Sequence, residues 1–321
     1  IRAKQVVISS GSIERPIVFG NNDTPGVVLA SAAKEYMKVY GVLVGKKPVI
    51  FTNNDSAYET AIEFKKNNIN PIVLDSRKNP QSEIIKEALS LGIDVKFSHV
   101  VVTAKGYKKV KSCDIAMISD NKENLIDISN IQCDCICVSG FWTPTIHLAS
   151  QSGSKTKFME DIDAFIPDKS KQKEITLGSA NGIFTLDETL KTSFQKGYEL
   201  SKEITNKDNK LQSPQVSEKQ HSKHDKFWCV PLPNGKKYKR FLDFQNDVTV
   251  SDIELALREG YRSIEHVKRY TTLGMATDQG RTSNLNGLQL VSNLENKVVP
   301  AVGHTTFRPP YTPITIGAIV G

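Results

Sequence analysis

Apolar and polar positions alternate in short blocks, and the blocks predict elements. Residues 5–11, QVVISSG, form an apolar run ending in small residues, which predicts a strand that delivers the chain to a backbone-exposed turn. Residues 12–27 carry two prolines and two glycines, which forbid a regular element. PGVVLASAAKEYMKVYG, residues 25–41, predicts a helix with Pro25 in its first turn and Gly41 just past its end. Residues 47–77 then read strand, polar turn, amphipathic helix and a second strand ending at Asp75, the βαβ grammar of a nucleotide-binding half-domain. A further helix and strand follow over residues 82–106, and CDIAMISD and QCDCICVSG read as two more strands.

The strand KEIT leads into LGSANGIFTLDETLKTSFQKGYELSKEI, where small residues precede a long amphipathic helix. Such a start suits a close-approaching cofactor whose negative oxygens meet the helix N-terminus, or equally a tight strand-to-helix connection packed on its own sheet. Residues 206–225 are polar and form a linker or long exposed loop. Beyond it, TVSDIELALREG and SIEHVKRYTTLG predict two short helices, the first with Thr249 as N-cap, and the Pro-rich tail reads as extended. The pattern divides the chain into residues 1–25, 26–131 (a degenerate Rossmann-like domain), 132–205, 206–235 (linker), 236–298 (small helical domain) and 299–321 (tail).

The length of 321 residues suits two or three domains. The net charge of +7 comes from dispersed lysines without interleaved aromatic residues, which argues against a nucleic-acid partner. The apolar runs fall far short of the roughly 20 residues a bilayer requires, so no membrane span is expected. Five cysteines, an odd number without a secretory leader, point to a reducing cytoplasm and no disulfides. Three of them, in CDCIC, occupy alternate strand positions, so their sulfurs line one face rather than a tetrahedral metal site. HSKH, residues 221–224, reads as exposed loop histidines. Both chain ends read as cut from a longer polypeptide.

The usual dinucleotide fingerprint places glycines in the first βα turn. Here Thr52, Asn54 and Ala57 stand at those places, with the ribose-type acid present as Asp75. Side chains at the first two positions would crowd a diphosphate, so the inserted half-domain keeps its fold and loses or alters its nucleotide site.

Several stretches together resemble known proteins. VVISSGSIERP, CICVSGFWTP and LGSANGIFTLDETL resemble the cofactor-proximal turns of flavoprotein disulfide-reductase-like enzymes. ERPIVFGNNDTPGVVLASA, VIFTNNDSAY, HVKRYTTLGMATDQGRTSN and FRPPYTP resemble the alpha subunits of heterotetrameric sarcosine oxidases. The resemblance implies an α/β fold with a disulfide-reductase-like, two-dinucleotide-domain body, in which residues 1–25 end a first dinucleotide-binding domain, 26–131 are inserted and 132–205 return to the first, followed by a small helical domain. It implies an oxidoreductase subunit that works with beta, gamma and delta partners. NAD would bind this subunit, FMN would be shared with beta, FAD would sit on beta where the amine is oxidised, and tetrahydrofolate would bind a further C-terminal domain. Motif by motif, it places Ser9, Ser10, Gly11, Ser179, Ala180, Gly182, Phe184 and Leu186 at NAD, and Lys268, Arg269, Tyr270 and Thr271 at the FMN interface. For Lys268 and Arg269 a helix-end cation pair balancing the dipole is the alternative. A catalytically silent scaffold, and a subunit of a proline- or octopine-type dehydrogenase, are the competing readings.

Related small domains hold a two-iron cluster through four cysteines. The corresponding positions here are Asp243, Gln245, Asp278 and Ser283, which do not hold iron sulfide as thiolates do, so no iron–sulfur cluster is expected.

Overall fold

The computed structural model describes residues 3–207, 212–217, 223–309, 312 and 314–320. The chain separates into two compact units: Ile1–Ile13, Trp142–Lys219 and Thr305–Gly321 form the smaller, and Glu14–Phe141 with Gln220–His304 the larger.

In chain order, β1 (Val6–Ile8) and β2 (Ser12–Glu14) precede β3 (Val27–Leu29), which runs directly into α1 (Ala30–Tyr40). Alternation continues with β4 (Pro48–Thr52), α2 (Ser56–Lys66), β5 (Ile72–Asp75), α3 (Glu83–Ser90) and β6 (Asp94–Phe97). Then come β7 (His99–Lys105), β8 (Ser112–Ile118), β9 (Leu125–Gln132) and β10 (Cys135–Ser139). The smaller unit contributes β11 (Trp142–Pro144), α4 (His147–Gln151), β12 (Thr156–Met159), β13 (Ala164–Pro167), β14 (Glu174–Thr176), a 3-10 turn (Gly178–Asn181) and α5 (Leu186–Thr205). The remainder is β15 (Phe241–Asp243), β16 (Val248–Thr249), α6 (Val250–Arg258), α7 (Ile264–Thr271), α8 (Asn284–Leu294), α9 (Val299–Val302) and α10 (Ile316–Val320).

The larger unit is built on a parallel sheet in the order β3-β10-β4-β5-β6. Strand alternation sorts its side chains onto two faces. Val49, Phe51, Leu74, Ile136 and Val138 pack with Val100, Val101 and Ile115 of the antiparallel β7-β8-β9 sheet. Ile50, Val73, Cys135 and Cys137 pack instead against Ala33 of α1, Tyr58 and Phe64 of α2, and Ile85 of α3. Burial on both faces explains why β4 and β10 carry unbroken apolar runs, Pro48–Phe51 and Cys135–Val138, rather than alternating. In the smaller unit β1 pairs in parallel with β14, and β12 pairs antiparallel with β13.

Several features differ from the sequence pattern. The residues after Pro25 do not start a helix: β-branched Val27 and Val28 extend along Ile136 and Cys137 as an edge strand, and α1 begins at Ala30. Gly41 does close α1, at φ +64°. Residues 135–139 form β10, an interior strand between β3 and β4, where every residue is buried. CDCIC does not present three sulfurs to one face, because Cys133 precedes the strand and packs with Cys113 while Cys135 and Cys137 pack under the helices. His224 is half-buried and stacked on Phe141, with ring centroids 4.0 Å apart, rather than an exposed loop residue; His221 lies outside the described residues. The pattern gives no sign of β9, whose residues are mostly exposed, nor of α8. The tail is not wholly extended, since it includes α9 and α10. Among the described residues no helix is long and apolar enough to cross a membrane.

Candidate functional site

In the smaller unit, β1 and β14 run side by side with Ile8 opposite Thr176, so the chain leaves both strands at the same end. The Leu177 N–H donates to the Ile8 carbonyl (2.9 Å), and residues 9–11 and the Gly178–Asn181 turn follow at once. Two turns read separately from the sequence are thus brought to one sheet end, the carboxyl end where ligands of such folds bind. Gly11 has φ +74° and open space where a Cβ would stand. The Ser10 hydroxyl donates to the Thr145 carbonyl (2.7 Å), and the Thr145 N–H donates to the Gly11 carbonyl (3.0 Å). Gly178 and Gly182 also have positive φ, and a Cβ on Gly182 would come within 3.0 Å of Ile162. Ser9 is exposed, Ala180 is buried, Ser179 and Phe184 are half-buried, and Leu186 is exposed. The first turn of α5 holds Asp187 and Glu188. These carboxylates already complement its dipole and would repel an anion placed at the start of α5.

In the larger unit the topological switch point lies between β4 and β10. There the protein's own side chains occupy the crevice. The Asn54 amide donates to Ser139 O (3.2 Å), Ser139 Oγ (3.0 Å) and Asn53 Oδ1 (3.0 Å). Its Oδ1 accepts from the Ser56 N–H (3.0 Å) and hydroxyl (2.6 Å), serving the N-terminus of α2. Asn53 donates to the Asp225 carbonyl (2.7 Å) and accepts at its own carbonyl from the Asp225 N–H (2.9 Å), so the chain after the linker crosses the sheet end. At the start of α1, Glu14 Oε2 accepts from the Ser31 N–H (2.8 Å) and hydroxyl (2.6 Å). Burial raises the Glu14 pKa, only partly offset by hydrogen bonds from Ser139 and Ser31 and by the Lys34 charge.

Asp75 is not available to a ribose. It accepts from Tyr58 OH (2.8 Å), from the Arg77 N–H (2.9 Å) and from Arg77 Nη2 (2.8 Å), while Arg77 Nη1 reaches Asp55 (2.8 Å). Burial opposes the Arg77 charge, but the hydrogen bonds and charge of Asp75, with Asp55, outweigh it and hold the guanidinium pKa above its usual value. Glu14, Asn53, Arg77 and Asp225 carry no local signature of these roles. Only Arg77, two residues beyond the strand-end acid, stands where a sequence signal could have drawn attention.

In the small helical domain Asp243 is the hub. Its 2 % exposed carboxylate accepts from the N–H groups of Gln245 (2.9 Å), Asn246 (3.2 Å) and Gly274 (2.7 Å), and from the Ser283 hydroxyl (3.4 Å). Asp278 accepts from the Gly280 N–H (3.1 Å), and Gln245 from the Thr277 hydroxyl (3.3 Å). Two of the four cluster positions, Asp243 and Ser283, therefore meet, and the carboxylate gathers backbone donors from two loops. Among the described residues no group of three or more His, Cys, Asp or Glu side chains is placed to hold a metal ion. Lys268 and Arg269 fall in the last turn of α7, favourable to its dipole. Tyr270 is exposed and packs on Tyr261 (centroids 4.7 Å apart), and the Thr271 hydroxyl donates back to the Val267 carbonyl (2.8 Å).

These features define a Rossmann-type α/β protein with an appended helical domain. Residues 237–321 match the sarcosine oxidase A3 domain. The whole chain is 34% identical to the sarcosine oxidase subunit alpha of Corynebacterium sp. (strain P-1), over 328 residues, and 34% identical to that of Rhizobium meliloti (strain 1021), over 334. It spans about a third of the length of these relatives, 34% and 31% respectively. Among solved structures, L-proline dehydrogenase from P. horikoshii aligns with 98% of this chain and 58% of its own, at 21% identity and a TM-score of 0.59, a likeness of fold. Along its full length, this chain is similar to a part of the sarcosine oxidase alpha subunits.

Proposed function

We propose that this chain is the dinucleotide-binding and flavin-facing part of a sarcosine-oxidising flavoenzyme. The whole enzyme would convert sarcosine, O2 and tetrahydrofolate to glycine, H2O2 and 5,10-methylenetetrahydrofolate, with the amine oxidised at FAD on a beta subunit and gamma and delta subunits completing the assembly. The similarity to alpha subunits supports this reading. The observation that carries this chain's own part is the meeting of the turns at residues 9–11 and Gly178–Asn181 at one end of β1 and β14.

The residues fit NAD at that end. Gly11, without a side chain and with open space beside it, lets the dinucleotide approach the backbone. Ser9 and Ser179 offer hydroxyls, and Ala180 and Gly182 keep the second turn tight. Phe184 and Leu186 supply apolar surface beside it. FMN, when bound at the interface with beta, supplies electron transfer to oxygen. Lys268 and Arg269 would face its phosphate or reduced ring, with Tyr270 and Thr271 beside them.

The crevice of the larger unit favours the scaffold reading for that half: Asn53, Asn54 and Glu14 already satisfy the groups a diphosphate would use. Steady-state turnover of the assembled enzyme on sarcosine and on proline, following peroxide and methylenetetrahydrofolate, tests the proposal. Activity on sarcosine with both products is expected. Activity on proline alone would overturn it.

A further inference from the structure

Two short stretches far apart in sequence, residues 105–111 (KGYKKVK) and 234–240 (NGKKYKR), hold eight cations and no carboxylate. The larger unit brings them together. Gly20 and Asn21 run between them: the Gly20 N–H donates to the Val102 carbonyl (2.9 Å), the Ala104 N–H to the Gly20 carbonyl (2.9 Å), and the Asn21 N–H to the Lys239 carbonyl (2.7 Å). A Cβ on Gly20 would stand 2.9 Å from both Thr103 and Tyr238, so residues 238–239 adjoin the end of β7. The Lys111 N–H donates to the Lys105 carbonyl (2.8 Å) and closes the turn between β7 and β8, from which Tyr107 projects, 93 % exposed.

Two of the eight cations are neutralised. Lys105 pairs with Asp114 (2.7 Å), and Arg240 with Glu254 (3.7 Å). Lys108, Lys109, Lys111, Lys236, Lys237 and Lys239 are exposed and make no ion pair among the described residues. Asp134, which follows the Cys133 whose N–H meets the Lys111 carbonyl, is engaged by the N–H groups of Lys46 (2.8 Å) and Lys47 (2.7 Å). Six like charges gathered on one surface repel one another, a cost to the isolated fold that an anionic partner would remove.

We propose that this surface binds an acidic segment of a partner protein. The free cations are all lysines, point charges that steer and neutralise carboxylates. The one arginine, whose planar fork would suit phosphate, is turned to Glu254, to Cys229 Sγ (3.4 Å) and to the Val230 carbonyl (3.2 Å). A single-stranded nucleic acid needs successive rings to stack on, and here Tyr107 projects while Tyr238 is half-buried against Gly20. One exposed tyrosine ringed by charge is instead the anatomy of a protein interface, an aromatic anchor inside a polar rim. The proposal is independent of amine oxidation, because neither NAD nor flavin enters it.

Fluorescence anisotropy of the full chain with a labelled peptide of about ten residues that interleaves Glu with Leu tests it, beside a labelled single-stranded oligonucleotide of equal charge. The peptide should bind more tightly than the oligonucleotide, with an affinity that falls as salt is added. Lys108→Glu with Lys109→Glu should weaken peptide binding about tenfold or more, whereas Lys66→Glu with Lys86→Glu, the same charge change on α2 and α3, should leave it within about twofold. Tyr107→Ala, which alters no charge, should weaken it severalfold. Thermal melting checks that each variant folds, and all five substituted side chains are exposed. No peptide binding at low salt up to about 1 mM, equal weakening by the two double variants, unchanged affinity in Tyr107→Ala, or tighter binding of the oligonucleotide would overturn the proposal.

Discussion

Replacing Arg77 with alanine would leave the carboxylates of Asp55 and Asp75 buried with no cation between them. Breaking one partner out of such a buried set costs about 3–5 kcal/mol, far more than the set's net worth when intact. Urea denaturation of Arg77→Ala should show that loss, whereas loss of the exposed Lys78–Asp120 pair should change stability by about 0.5 kcal/mol or less. Glu14 gives a pH signature. Its folded-state pKa is raised by burial, so the folded protein holds that proton more tightly than the unfolded chain. Its contribution to stability is therefore present below the ordinary carboxyl value and is lost as pH rises through the raised one. Measured against Glu14→Gln at a series of pH values, wild-type stability should fall relative to the variant as pH increases. A difference that grows in the other direction would contradict the assignment. Asp243→Asn should cost about 2–3 kcal/mol in the same assay, because an NH2 group would then face a backbone N–H that now meets an oxygen.

At the scale of elements, the βαβ alternation was legible because periodicity is local. The buried strands β4 and β5 and the helices α2 and α3 stand where the apolar pattern puts them. Strand β3 was not, since Val27 and Val28 extend only because β10 lies beside them to accept pairing. The same holds for β10 itself, an apolar run whose place in the sheet depends on β3 and β4 rather than on its own residues. Asn54 links the two scales: one side chain serves the start of α2 and ties β4 to the end of β10. Asn54→Ala should destabilise by about 2 kcal/mol, read by denaturation, through loss of both roles.

Across the molecule, the two units make opposite use of one architecture. The smaller unit leaves the backbone at Gly11 open at the carboxyl end of β1 and β14, and the larger fills its own sheet end with side chains. Gly11→Val should therefore abolish NAD binding in a fluorescence titration, through an unfavourable positive-φ side chain at the approach surface. Retained NAD affinity in that variant would remove the cofactor from this turn. By itself, the sequence determined the alternation of strands and helices from β4 to β6, the absence of thiolates at the four cluster positions, and the likeness to sarcosine oxidase alpha subunits, because each is written in contiguous residues. The tertiary structure alone decided what fills each site. Asn54 meets Ser139 across 85 positions, Asn53 meets Asp225 across 172, and Asp243 meets Gly274 across 31. The partner of a buried polar group is set by which distant segments the folded chain brings to it, and no local pattern encodes that.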